Sequence, residues 1–408
     1  MAAATVVLLG TLDTKGAEYE FLRGRLELAG VATLLLDAGI DEPRGAEPDV
    51  SREEVAHAGG VDLEALRRRR DRGETVTAMA AAATACVRRL FDEGRCQGVL
   101  AAGGSGNTAI ATAAMRALPV GVPKLMVSTV AAGDTTAYIG ASDLTLMASV
   151  TDVAGVNSIS ARILANAAAA MAGMVQAPAV ELGERRPLIG ATMFGVTTPG
   201  VTAAREELDR RGYEVLVFHA TGTGGRAMEG LVQDGFLDGV LDITTTELAD
   251  ELVGGVFSAG PDRLEAAGRL GVPQVVSLGA LDMVNFGSRE TVPERFADRN
   301  LYVHNPQVTL MRTTPEECAE LGRRIARKLS AATGPTALFV PLRGVSMLSV
   351  EGAPFADPAA DEALVAAIRE HVGAGVELHA VDADVNDAAF AGAMAEKLDS
   401  YIKARAPA

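Results

Sequence analysis

Lys15 is one of only five lysines among 37 basic residues, and it stands in a glycine-bounded turn, GTLDTKG at residues 10–16, beside Asp13 and Thr14. The turn follows an apolar run, ATVVLL, and leads into a segment with helical spacing. A compact ammonium in that position is suited to meeting a phosphate. Asp13 could order a magnesium-bound water or receive a ribose hydroxyl, or it could simply cap the following helix. A second glycine stretch, GGSGNT at residues 103–108, lies between QGVLAA and AIATAAMRAL and holds Gly104, Ser105, Gly106 and Asn107. Helix N-termini carry unpaired N–H groups that favour anions, but one charge there is worth only about 0.3 to 1 kcal/mol. Polyphosphate affinity therefore needs donors converging from more than one loop. Neither stretch has the spacing of a Walker A loop or a dinucleotide fingerprint. Taken alone, each is equally a tight strand-to-helix turn, and Asn107 equally a helix start.

The elements that must position these turns are legible as alternation. The runs TVVLL, TLLLD, QGVLAA and PKLMVS alternate with helical stretches, the pattern of right-handed βαβ units in a parallel sheet. The pattern restarts with PLIGATM, YEVLVF, DGVLDI, PQVVSL, TALFVP and VELHAV, with helices expected near 200–211, 226–234, 262–270, 359–371 and 387–403. Charge, glycine and proline in ELGERRP, residues 181–187, mark a break. The expectation is an α/β protein of two doubly wound, mostly parallel-sheet, Rossmann-like domains around a cleft: residues 1–182, carrying the anion loops, and 183–408, facing a substrate or partner. Residues 38–60 form a long connection after the second strand, of the kind that covers a site or a subunit contact. The basic run RRRRDRG, residues 67–73, reads as a solvated helix face.

Composition narrows the function classes. At 408 residues the chain exceeds the size of one growing core. A formal charge of −16 argues against nucleic acid and anionic membranes as partners. Residues 1–180 hold 16 basic and 20 acidic side chains against 21 and 33 beyond, so anionic ligands suit the first half better. Three cysteines without metal-ligand spacing suggest reduced thiols in a cytoplasmic protein, and no export signal opens the chain. The alanine-rich segment from Ala161 includes Arg162 and Asn166 and reads as a buried helix rather than a membrane span.

Extended stretches carry a further likeness: GTLDTKG, the run AAGGSGNTAIATAAMRALPVGVPKLMVSTVAAGDTTAYIGASDLTL, TDVAGVNSIS, HATGTGGRAME and FVPLRGVSMLSVEGAPFADP. Through them the sequence resembles the family of the ATP-binding, replication-inhibitory domain of the tomato mosaic virus resistance protein and its bacterial relatives. The resemblance implies a dimeric two-subdomain α/β protein that binds ATP, with or without magnesium, in its first subdomain. It implies that Asp13, Thr14, Lys15, Gly104, Ser105, Gly106 and Asn107 line the nucleotide. It also implies that Arg72, just before Gly73 at a helix start, grips a phosphate. That family often has glycine where Asn107 stands, and its plant member a threonine where this chain has Ile40, which offers main-chain and apolar contact only. Asp37, ending the second strand, is expected to reach a ribose hydroxyl by analogy with dinucleotide folds.

In the second half, FHATGTGGRAMEGL at residues 218–231 repeats the strand, glycine turn and helix arrangement and suggests a second anion cradle. His219, at a strand end, is the candidate general acid or base, since imidazole titrates near neutral pH. Its bland alternative is a structural histidine. Asp242 and Glu247 in DITTTELADEL read as caps, and ADADVNDAAF lacks the glycine and final acid of a calcium loop. Two function classes stay open. One is an ATP-dependent enzyme acting on a small polar or carboxylate substrate; the other is a non-enzymatic, nucleotide-regulated binding module. A two-domain solute receptor has the architecture but lacks the export signal.

Overall fold

A computed structural model describes residues 4–178, 180 and 185–405. The chain divides into two compact units, Met1–Glu181 and Leu182–Ala408; the boundary expected at residue 182 lies outside the described residues.

The first unit runs β1 (Thr5–Gly10), α1 (Leu12–Leu28), β2 (Ala32–Asp37), α2 (Arg52–Ala58), α3 (Leu63–Arg69), α4 (Arg72–Asp92), β3 (Gly98–Gly103), α5 (Ser105–Arg116), β4 (Lys124–Ser128), α6 (Thr136–Ile139), β5 (Thr145–Ala148) and α7 (Ser160–Gln176). Its five strands are all parallel in the order β2-β1-β3-β4-β5. The strands are continuous apolar runs because both faces are covered. Val7, Leu9, Val99, Ala101 and Met126 pack with α4 and α5 on one side. Val6, Leu8, Leu100, Leu125 and Val127 pack with α1 and α7 on the other. The alanine-rich segment is α7, which buries Leu164, Ala167, Ala168, Met171 and Ala172. Among the described residues no helix is long and apolar enough to cross a membrane.

Register decides where the loops emerge. Gly10 pairs with Asp37, Leu8 with Leu100, and Gly103 with Ser128, so the strand ends lie side by side at one edge. The chain reverses winding between β1 and β3, which places both glycine turns at the switch point where doubly wound sheets take ligands. The long connection contains α2 and folds back here: Arg44 N–H donates to Leu12 O at 2.9 Å.

The second unit comprises β6 (Leu188–Met193), α8 (Thr198–Arg210), β7 (Glu214–His219), α9 (Thr223–Gln233), β8 (Gly239–Thr244), α10 (Glu247–Val253), α11 (Ala266–Leu270), β9 (Gln274–Gly279), β10 (Met283–Phe286), β11 (Leu301–Asn305), β12 (Val308–Arg312), α12 (Pro315–Ser330), β13 (Thr336–Pro341), α13 (Pro358–His371), β14 (Val376–Val381) and α14 (Ala388–Arg405). Six parallel strands in the order β14-β13-β9-β8-β6-β7 form its main sheet, and these are the six runs the sequence marks. Both halves are thus Rossmann-like, as expected. The departure is an antiparallel insertion, β10-β12-β11, between β9 and α12. Its strands are four or five residues long and β11 is largely exposed, which leaves no apolar run to betray them.

Gly10 is fixed by contact. A β-carbon there would lie 2.2 Å from the Tyr19 ring, which is fully buried beneath the β1 end. Gly10→Ala is expected to lower stability by about 1–3 kcal/mol, read from urea unfolding curves. An unchanged midpoint would mean the ring is free to move aside.

Candidate functional site

The β1–α1 turn is shaped by Asp37. The N-cap, Thr11, gives α1 no side-chain cap. Instead Asp37 Oδ1 accepts from Leu12 N–H at 3.1 Å and Gly39 N–H at 2.9 Å. Asp37 is 0% exposed, and burial pushes its carboxyl above the usual range, against the pull of those two N–H donors. Asp37 thus braces the turn through Oδ1, while its Oδ2 is buried with no partner among the described residues, and the ribose contact expected of it stays an expectation. Gly39 is required by crowding, since a β-carbon would come within about 3.0 Å of both the Asp13 and Asp37 carboxylates. Beyond the turn, Lys15 leaves helical geometry (φ −128°, ψ 16°) and its Nζ donates to Val153 O.

The β3–α5 turn is built the opposite way. Its N-cap is Gly104, which has no side chain to cap with. The N–H groups of Ser105, Gly106 and Asn107 meet no acceptor among the described residues. A β-carbon on Gly104 would sit in ordinary contact with Thr129 at 3.8 Å, and one on Gly106 with Val76 at 3.6 Å and the Arg72 guanidinium at 3.8 Å, so Arg72 lies directly beside this turn. Thr108 Oγ1 and Ser128 Oγ, 2.7 Å apart, tie the first turn of α5 to the end of β4 below.

Arg72 comes from the start of α4, where Asp71 caps Glu74 N–H. Its guanidinium has no hydrogen-bond or ion-pair partner among the described residues. Two other members of the basic run are spoken for: Arg67 pairs with Glu64 and Glu53 and donates to Ile40 O, and Arg69 pairs with Glu74; Arg68 and Arg70 are exposed and, unlike Arg72, do not line the space beside the turns.

These elements enclose a cavity of about 490 Å³. Of the residues expected, Asp13, Thr14, Lys15, Ile40, Arg72, Gly104, Gly106 and Asn107 line it together. Asp37 lies behind, and Ser105 contributes a free N–H without lining the cavity. The sequence reading missed Thr11, Gly39, Thr75, Val76, Ile110 and Asp152. Val76 and Ile110 belong to helix faces that look purely structural, and Asp152 arrives from a loop more than a hundred residues beyond Lys15. The cavity thus offers free backbone donors, two cations, two carboxylates (Asp13 and Asp152) and an apolar wall of Ile40, Val76 and Ile110.

The second glycine loop is a different object. Glu247 Oε1 accepts from Gly222 N–H at 2.7 Å and Gly225 N–H at 3.0 Å, so the amides proposed as an anion cradle already hold the chain's own carboxylate. Nor is Glu247 a cap of its own helix. Its Oε2 accepts from Arg263 Nε at 2.7 Å. Arg263, 1% exposed, also binds Asp242 at 2.5 and 2.8 Å and approaches Glu229 at 3.4 Å. Burial alone would favour the neutral guanidine, but the carboxylates, Asp242 first, more than reverse that and hold it charged. Gly225 is needed because a β-carbon would strike Glu247 Oε2 at 2.1 Å and Arg263 Nε at 2.6 Å. His219 stands exposed at the end of β7, Nδ1 3.3 Å from Met193 O and its ring 5.3 Å from that of Phe194. No charged group pairs with it among the described residues.

Arg263→Ala strands the buried carboxylates. The expected cost is about 3–5 kcal/mol, read from chemical unfolding, with any ligand binding in the first unit retained by the fraction that stays folded.

The family model described as "Uncharacterised protein family (UPF0261) N-terminal domain" matches residues 4–180, and its "C-terminal domain" counterpart matches residues 186–402. A "UPF0261 protein" of Clostridium tetani is 52% identical over 399 residues, covering 98% of this chain and 99% of that protein. The "ToMV resistance protein Tm-1(GCR237)" of Solanum lycopersicum is 44% identical over 339 residues, covering 81% of this chain but 45% of the plant protein. Among solved structures, a putative UDP-N-acetylglucosamine 2-epimerase from Listeria monocytogenes aligns with 68% of this chain and 79% of its own at 12% identity and a TM-score of 0.25. That likeness is too slight to bear on function.

Proposed function

This chain belongs to the UPF0261 family, and from the geometry of its first unit we propose that it is an ATP-binding protein. One observation carries the proposal. The turns after β1 and β3 open onto a single cavity at the sheet's switch point, where the N–H groups of Gly106 and Asn107, Lys15 and an unpaired Arg72 all lack an anion. Free amides at a helix start, joined by cations from two further elements, favour a polyphosphate over a single charge. A cavity of about 490 Å³ is within the usual range of roughly 300–1,000 Å³ for small-molecule sites. The apolar wall of Ile40, Val76 and Ile110 gives a heterocycle somewhere to lie.

Magnesium fits as a companion of the phosphates. It is commonly held by one or two carboxylates together with phosphate oxygens, and Asp13 and Asp152 are the side chains that would hold it here. Among the described residues no cluster of three or more acidic, histidine or cysteine ligands exists, so the protein alone offers no complete cage.

The binding-module form is favoured over the enzymatic form by a specific observation. The loop that was to seat a second substrate beside His219 is filled by Glu247. The proposal also carries a homodimer, implied by the family resemblance, and a cytoplasmic setting, supported by three free thiols.

Two substitutions test the site. Lys15→Ala and Arg72→Ala are each expected to weaken ATP binding about 10- to 100-fold in titration calorimetry with magnesium, because each removes a charge-assisted hydrogen bond. Unchanged affinity in both would sink the assignment. Mass spectrometry of ligand released from the purified protein gives an independent reading of occupancy.

A further inference from the structure

Asn107 sits at the start of α5, 5% exposed, and lines the cavity, yet its two amide atoms fare differently. Nδ2 donates to Tyr19 Oη at 2.9 Å and to Ala102 O at 3.0 Å. Oδ1 is buried and has no partner among the described residues. The amide cannot be turned over to satisfy it, because Oδ1 would then face the Ala102 carbonyl, acceptor against acceptor. Tyr19 closes the alternatives. Its hydroxyl accepts from Ala102 N–H and Asn107 Nδ2, and its single proton goes to Leu9 O at 2.5 Å or Ala102 O at 3.0 Å. With Nδ2 tied down toward β3, the planar amide turns Oδ1 away from Ala102 and Tyr19.

A buried carbonyl oxygen without a donor costs about as much as a lost hydrogen bond and is rare unless something supplies the proton. Phosphate oxygens at neutral pH do not. The start of α5 therefore presents opposite demands: three N–H groups that want acceptors and one oxygen that wants a donor. A bare polyphosphate meets only the first demand, whereas a phosphorylated nucleoside meets both.

We infer that Asn107 Oδ1 accepts a hydrogen bond from an O–H or N–H of the nucleoside part of the ligand, with Tyr19 as the positioning residue that fixes the amide, so that the site selects nucleotides over inorganic polyphosphate. This rests on the ATP-binding proposal above and adds to it a source of specificity.

The test is calorimetry on the full chain with two probes, ATP and inorganic tripolyphosphate, each in EDTA and in magnesium. Asn107→Ala is expected to weaken ATP about tenfold in both media while tripolyphosphate stays within about twofold. Tyr19→Phe, which leaves the amide in place but less firmly held, is expected to shift the ATP-to-tripolyphosphate ratio in the same direction by less. A purely structural role for Tyr19 would lower the melting temperature without moving that ratio, and would overturn its assignment. Equal weakening of both probes in EDTA, or no weakening of ATP by Asn107→Ala, would overturn the role given to Asn107. A loss confined to magnesium and shared by both probes would move the donor to a metal-bound water and overturn the nucleoside assignment. Should the unaltered protein bind neither probe, the ATP proposal itself falls. Should it bind both equally well, the selectivity falls while a polyphosphate site stands.

Discussion

Parallel strands impose one constraint on both halves of this chain: every strand ends at the same edge, and helix after helix begins there with N–H groups that have no partner in their own turn. Those groups must find acceptors from side chains, from water or from a ligand. The three loops considered above answer differently. At α1 a carboxylate from the next strand, Asp37, takes the first N–H. At α9 a carboxylate from α10, Glu247, accepts from Gly222 and Gly225. At α5 no acceptor from the described chain arrives, and the N-cap is a glycine with no side chain to supply one. That contrast separates a ligand site from a self-contained loop more sharply than the glycine patterns do.

Much of the fold was legible because the main sheets are covered on both faces. Strands such as VVLL and GVLAA bury alternate residues in two cores and so appear as unbroken apolar runs. Short elements escaped, whether exposed like β11 or buried like β10. β5 is only TLMA and half-exposed, and the β10-β12-β11 insertion is assembled from similarly short pieces. α12 was overlooked although its capping box, Thr314 with Glu317, stands in the sequence. Its helical stripe of Cys318, Leu321, Ile325 and Leu329 is interleaved with charges, and so does not register as a hydrophobic block.

The site divides along the same line. Residues directly after strand ends, such as Asp13, Lys15 and Gly104, were legible because topology puts those positions at the ligand edge whatever the details. Side chains that reach across were not. Asp37 and Glu247 are both acids at a strand end or just past one, and the sequence cannot say whether such a group points outward or bends into a neighbouring loop. Arg263, amid the polar residues of PDRLE, gave no hint of complete burial. The free oxygen of Asn107 became visible only once Tyr19, 88 residues away, was seen to claim the nitrogen.

Arg263 also bears on how the second half comes together. Its partners arrive from α9, β8 and α10, three elements spread over residues 229 to 247, while the arginine itself is delivered by the following loop. A charge stripped of water before its counter-ions are in place is costly, so a half-assembled set is worse than either none or all. The cluster therefore works like a keystone: these segments gain little by docking singly, and the unit is driven to close as one cooperative body.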